Sequence, residues 1–433
     1  MLFIFVAPPV FVLGALLVII GVTCLGSSFV VLNSFLPVLV ANDPSIQEAE
    51  AKDRSEELPH LNPNGESAEP PPYEENDFEQ DMPTQGKNTN ANSPELQLST
   101  RISSKGVGLG YCAAVFVQVL SIALLFTLSK TSVSGTLPTR LVLLLVGIWW
   151  GSFTMVSRRW LRNRPGPPLD VAGDQSRWRA WLRLMGFAWR SLWKTIKVAV
   201  RLREVILFLV AWFLLSDAIA TVSGTAILFA RTELKMSTTS VGLLSITATL
   251  SGMAGAFLWP VISRRFRLKS NHTIMVCIGL FEIIPLYGML AYIPLFKRLG
   301  VIGLQQAWEI FPLAFVHGVV SGGLSSYCRS FFGLLIPPGS EAAFYALYAA
   351  TDKGSSFIGP AIVGMLIDAT GQVRTGFFFI AVSILLPIPL VWMVDADKGR
   401  REGVAMAEML DKRDAPGDGD DEEAEGLLRM HRS

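Results

Sequence analysis

The sequence predicts an all-α polytopic membrane protein. Three observations carry that expectation. Of the 433 residues, 51% are hydrophobic and only 17% are charged, whereas a soluble domain has about a quarter of its residues charged. Nine windows are long and apolar enough to cross a hydrocarbon core about 30 Å thick. None of them shows the two-residue alternation of a membrane barrel.

The windows are Val10–Leu32, Gly108–Thr127, Leu137–Val156, Val205–Ala230, Val241–Ser263, Thr273–Phe296, Trp308–Tyr327, Phe344–Ile367 and Thr375–Val394. The first is preceded by apolar Met1 to Phe5 and by Pro8 and Pro9. It lacks the basic n-region and cleavage site of a signal peptide. Residues 42–105 follow, with fourteen acidic and five basic residues. So polar and proline-rich a stretch cannot bury a core and is expected to be disordered. Within it, Pro70-Pro71-Pro72-Tyr73 fits the PPxY pattern that WW domains, including those of ubiquitin ligases, read as polyproline II.

After the third window comes the central loop, 158–204. Arg158 to Arg203 holds twelve basic residues and two acidic ones. Trp178, Trp181, Leu182, Met185, Trp189, Leu192, Trp193 and Ile196 recur there at helical spacing among arginines and lysines. That is a basic amphipathic helix. It suits an anionic membrane surface or the ends of the protein's own helices. Six windows follow, then a tail from 397 to 433. The tail carries Glu423 four residues before Leu427-Leu428, an acidic dileucine pattern read by sorting adaptors.

Lysine and arginine set the orientation. Basic loops after the third, fifth and ninth windows alternate with sparsely charged ones, so all three fall on the cytosolic side, together with 42–105 and the C-terminus. Lys297 and Arg298 lie on the other side, against the rule. The net charge of +1 leaves no overall basic field for nucleic acid. The four cysteines form no CxxC pair, and no GxSxG, HExxH or P-loop pattern occurs. The expectation is therefore no enzyme, no metal and no cofactor.

Ionisable side chains inside a membrane cost at least ~2.5 kcal/mol and by default face a partner or a wet cavity. Asp217, in the polar run Ser216 to Thr225, and His317, followed by Gly318 and Ser321-Gly322-Gly323, are central in their windows. Glu282 is central too, and Glu309 begins a window. Asp352 and Lys353 are adjacent. Serine and threonine can instead bond back to their own helix, and the charged pair can be structural. Gly252 and Ala256 suit close helix contact.

Three windows precede the basic loop and six follow it. In a six-plus-six frame, the nine match helices four to twelve of a major facilitator fold, and three spans are expected ahead of Met1. Long runs then carry a closer resemblance: Trp160-Leu161-Arg162-Asn163-Arg164-Pro165-Gly166-Pro167-Pro168-Leu169, Ala211-Trp212-Phe213-Leu214-Leu215-Ser216-Asp217, Ala350-Thr351-Asp352-Lys353-Gly354-Ser355-Ser356-Phe357 and Asp397-Lys398-Gly399-Arg400-Arg401. Together they resemble the fungal autophagy-related protein twenty-two family of vacuolar effluxers.

The resemblance implies a multi-pass vacuolar membrane transporter that exports amino acids, leucine among them, released by autophagic breakdown. It implies four parts: residues 1–157 as the remnant of an N-terminal half in an N-terminally truncated chain, the loop 158–204, a C-terminal six-helix half 205–396 and the tail 397–433. Cavity-lining positions of the fold place Asn33, Asp217, Thr221, Ser223 and His317 on the substrate path and disfavour Glu282. Asp352 and Lys353 read as a gating or structural pair. Asp217 or His317 is the expected proton carrier. The expected partners are amino-acid substrates, membrane lipids, a WW-domain ubiquitin ligase at Pro70, Pro71 and Tyr73, and a sorting adaptor at Glu423, Leu427 and Leu428. The rival expectation is a non-transporting receptor or adaptor working through those two motifs.

Overall fold

The computed structural model describes residues 11–48, 94–130, 137–160 and 177–414, and among them it contains helices and no strand. The helices are α1 (Phe11–Ala41), α2 (Pro94–Ser129), α3 (Leu137–Trp160), α4 (Arg177–Arg201), α5 (Arg203–Thr232), α6 (Thr238–Arg265), α7 (Ser270–Phe281), α8 (Ile283–Met289), α9 (Pro294–Leu299), α10 (Ile310–Leu335), α11 (Glu341–Ser355), α12 (Ile358–Thr370), α13 (Gly376–Leu385), α14 (Pro387–Met393) and α15 (Ala396–Asp414). The PPxY and dileucine motifs and the 161–176 part of the central loop lie outside the described residues.

The buried core lies among the helices after Arg203. There α5 packs against α11, α12, α13 and α14. Its Phe208 and Trp212 meet Phe331, Phe332 and Tyr348, with Trp212 stacked on Tyr348 at 4.8 Å between centroids. The closest pairing is α6 with α10. A side chain on Gly322 would run into the carbonyl of Gly252. The two backbones therefore touch, as small residues allow in membrane helices. Trp259 seals the contact by donating its indole N–H to Val319 O at 3.0 Å. By contrast, α3 has no buried residue. Its apolar surface suits lipid, which is as apolar as its side chains.

Among the described residues, eight helical stretches are long and apolar enough to cross a membrane, where nine are expected. The eighth expected span, Phe344–Ile367, is two helices broken at Ser356 and Phe357. Hydropathy dips at the break, through the polar run Thr351-Asp352-Lys353-Gly354-Ser355-Ser356. Gly354-Ser355-Ser356 hold a helix weakly, and Pro360 suits the first turn of a new helix. Glu282 marks a milder break between α7 and α8, three residues ahead of Pro285, and Pro387 opens α14.

Two expected boundaries shift. Residues 94–105 fall within the stretch expected to be disordered, but α2 begins at Pro94. Leu96, Ser99, Thr100, Ser103 and Ser104 are buried there, so packing outweighs their polarity. The expected tail starts as helix α15. It is tied to the start of α5, where buried Glu204 accepts from Asp395 N at 2.9 Å and pairs with Lys398 at 3.4 Å.

The amphipathic stretch is helical, as α4. Residues 182–190 are exposed, Trp189 among them, while Thr195 and Ala199 near its end are buried against the bundle. Trp189 and Trp193 are exposed, as the apolar face of an interfacial helix would be.

Candidate functional site

Polar groups gather at three places along α5 and α10. The first is a cavity of about 230 Å³ lined by Ser223 of α5, Ser245 of α6, His317 of α10 and mostly apolar neighbours such as Val222, Leu244 and Phe377. Ser223 donates its hydroxyl to Ile219 O at 2.8 Å, so its oxygen is free to accept from His317 Nε2 at 3.3 Å. That assigns the imidazole proton to Nε2 and leaves Nδ1 an acceptor. Nδ1 is buried and has no partner among the described residues. Phe281 packs against the ring at 5.4 Å between centroids. An apolar chamber with one unmatched acceptor suits a small ligand with an aliphatic group and a hydrogen-bond donor.

A loop closes one end of this cavity, where Leu304 is both buried and part of the lining. Ile302 and Leu304 have φ of 72° and 60°, a region non-glycine residues rarely adopt. Two charges hold that strain. The Glu309 carboxylate accepts from the backbone N–H of Leu304 (2.8 Å), Gln305 (3.2 Å) and Gln306 (2.8 Å), and from the Tyr287 hydroxyl at 2.9 Å. Arg374, arriving from the loop before α13, donates to the carbonyls of Gly303 (2.7 Å) and Leu304 (2.8 Å) and lies over the Phe229 ring at 5.0 Å.

The second place is the break between α11 and α12. Asp217 Oδ1 accepts from Gly359 N at 2.9 Å, at the first turn of α12, where helix N–H groups lack intrahelical partners and the dipole favours an anion. Gly359 has to be glycine: a Cβ would press on Thr221 Oγ1 and come within 2.7 Å of Asp217 Oδ2. Ser216 hydrogen-bonds Asp352 through both the carboxylate and the backbone carbonyl, on the α11 side. Thr221 donates back to Asp217 O at 2.7 Å. Two consecutive residues of α5 thus hold the two sides of one broken helix. Asp352 also pairs with its neighbour Lys353 at 2.8 Å, and Lys353 is 70% exposed.

The third place is where α1 and α2 meet α10. Asn33 Oδ1 accepts from Arg329 Nη1 at 2.9 Å.

The residues expected on one path therefore divide. Ser223 and His317 share the cavity; Asp217 and Thr221 do not line it. Asn33 stands with Arg329, which was not singled out in the sequence. The expected span ended at Tyr327, so Arg329 fell into a loop, although α10 continues to Leu335. The apolar run from Phe331 to Ile336 was the signal that extends it. Among the described residues no cluster of three or more histidine, cysteine or acidic side chains has the spacing to hold a metal ion.

A family model described as "Vacuole effluxer Atg22 like" matches residues 1–404. The chain is 76% identical over 445 residues to Autophagy-related protein 22-2 of Neosartorya fischeri, covering 99% of this chain and 72% of that one. It is 77% identical over 442 residues to Autophagy-related protein 22-1 of Aspergillus terreus, with the same coverages. It is 68% identical over 448 residues to Autophagy-related protein 22-2 of Penicillium rubens, covering 99% of this chain and 74% of that one.

Proposed function

The chain belongs to the Atg22-like vacuole effluxer family, and on that premise we propose that it exports neutral amino acids, leucine among them, from the vacuole lumen to the cytosol. The family description supports a multi-pass vacuolar membrane transporter acting in autophagy. The substrate class is our reading, and the His317 cavity carries it. Its apolar lining suits an aliphatic side chain, and the unmatched Nδ1 suits the ammonium group of an amino acid. A larger charged side chain would be stripped of water there without a counter-charge, which disfavours it.

In this reading the loop at Leu304 is the lumenal cover of the cavity, and the basic loops and the C-terminus are cytosolic. Alternating access requires helices that change shape around the site. The break between α11 and α12 supplies one. Asp217 is a positioning residue there: it keeps the α12 end of the break against α5. His317 is the proton carrier where export is proton-coupled, because its unmatched Nδ1 lies in the cavity wall and can take up and release a proton.

Leucine efflux from vesicles carrying the full chain tests this. His317→Leu is expected to keep the fold and to cut leucine flux at least about tenfold. Unchanged flux removes the cavity from the path. No amino-acid flux from the wild-type chain under any gradient overturns the substrate reading.

A further inference from the structure

Arg329 is a buried charge held only by neutral hydrogen-bond partners among the described residues. It sits twelve residues, about 18 Å, along α10 from His317. It lies between α10, α1 and α2. Nε and Nη2 donate to Ser103 Oγ at 3.1 and 2.9 Å, Nη2 also reaches Ser103 O at 3.5 Å, and Nη1 holds Asn33 Oδ1 at 2.9 Å. Every acceptor is neutral. Among the described residues, no carboxylate lies within ion-pair distance of it. A purely structural arginine in a membrane interior is better served by an aspartate, which has the same shape as Asn33 and adds the counter-charge.

A second observation lies within one turn of Ser103 on α2. Thr100 and Ser104 stand three residues before and one after Ser103, and their side-chain oxygens are buried without any hydrogen-bond partner among the described residues. A positive charge held on Ser103 and unused hydroxyls within one turn of it thus share this stretch of α2. Both are what a carboxylate needs.

We propose that Arg329 is the carboxylate-recognition residue of the transport path, and that the substrate's carboxylate replaces Asn33 on the guanidinium. The inference rests on the amino-acid reading above and deepens it. The planar fork of arginine matches two carboxylate oxygens, and such a charge-assisted pair is stronger than the bond to a neutral amide it displaces. The hydroxyls of Thr100 and Ser104 are the further donors. The displaced bonds also matter. Asn33 and Ser103 belong to α1 and α2, and Arg329 to α10. The neutral bonds hold these helices together, and a carboxylate that takes Asn33's place loosens that seam. Differential binding to the loosened state is what lets occupancy drive opening. The substrate meets the two stations one after the other, because about 18 Å of α10 separates them.

The test is competition for labelled leucine uptake into proteoliposomes of phosphatidylcholine, which has no net anionic headgroup, containing the full chain. The competitors are leucine and leucinamide, which keeps the side chain and amine but lacks the carboxylate. Wild type is expected to prefer leucine by about tenfold or more, and R329Q to reduce the preference to about twofold or less. R329K keeps charge without the fork and should fall between. N33D supplies an internal carboxylate, so it should weaken leucine competition about tenfold while raising the detergent melting temperature. R329Q that elutes as folded protein and keeps the preference overturns the site alone. N33D with unchanged leucine competition overturns it even where R329Q fails to fold. A wild-type chain without leucine flux overturns the amino-acid reading together with the site.

Discussion

Two charges stand near opposite ends of α10 and are treated in opposite ways. Just ahead of the helix start, Glu309 is 1% exposed and accepts four hydrogen bonds, three from one backbone loop and one from Tyr287. Near the helix end, Arg329 has only an amide, a hydroxyl and a carbonyl to hold it. The first charge is saturated, so it has nothing left to offer a ligand. Its free energy is spent on a loop with two non-glycine residues at positive φ, a conformation costing about 1–3 kcal/mol at each residue. The second charge keeps its capacity. On the proposal above, the under-satisfied ion serves recognition and the saturated one serves architecture. Asp217 belongs on the architectural side, because its carboxylate faces the first turn of α12.

The sharpest way to break this contrast is at the saturated end. Glu309→Ala orphans three backbone donors and one hydroxyl, each worth about 1–3 kcal/mol when buried without a partner. The expected loss is about 3 kcal/mol or more, read as a fall in the detergent unfolding midpoint and in folded yield. A midpoint within error of wild type would mean that the loop is held by something else.

The next effect is at the helix break. Gly359→Ala drives a methyl group into Thr221 and Asp217. Overpacking of this kind costs about 1–3 kcal/mol. Asp217→Ala should cost less, about 1 kcal/mol, as loss of a helix cap does. Asp217→Asn keeps an acceptor for Gly359 and should cost less still. Leucine flux that falls in Asp217→Asn while the melting temperature holds would move Asp217 from the architectural side to the functional one.

Arg374→Lys comes third. Lysine keeps a charge but cannot span the carbonyls of Gly303 and Leu304 together. A loss of about 1–2 kcal/mol is expected. Because Leu304 also lines the cavity, the variant should let cysteine reagents reach a cysteine placed at Ala314 faster from the side of that loop.

The sequence showed where polar groups enter the membrane but not which of them were already satisfied. Asp217 and His317 were legible because each interrupts an apolar window. Their roles were not, because both depend on partners far along the chain: Gly359 for Asp217, and Ser223 and Phe281 for His317. The break at Ser356 has a signal in the polar run Thr351 to Ser356, but the apolar stretches on either side join it into one window. Glu309 was visible as a charge, but its acceptor role depends on the positive φ of Ile302 and Leu304, which no pattern of aliphatic residues announces. Arg329 was lost to a boundary. A window that ends at the first charge excludes a residue whose positive charge the fold retains inside.

The smallest expected effect separates packing from recognition within the cavity. Ser223→Ala removes the acceptor for His317 Nε2 and little volume. Its hydroxyl proton already goes to Ile219 O, a bond a helix gives up at a cost of about 1 kcal/mol or less. Stability should barely move. The imidazole, however, loses the contact that assigns its proton to Nε2, so the proton can sit on either nitrogen and Nδ1 is no longer a dedicated acceptor. Leucine flux should fall a few-fold through a raised KM with kcat nearly unchanged, the signature of lost ground-state binding. If KM holds instead, the hydroxyl is only a helix-bonded serine, and His317 takes its orientation from Phe281 alone.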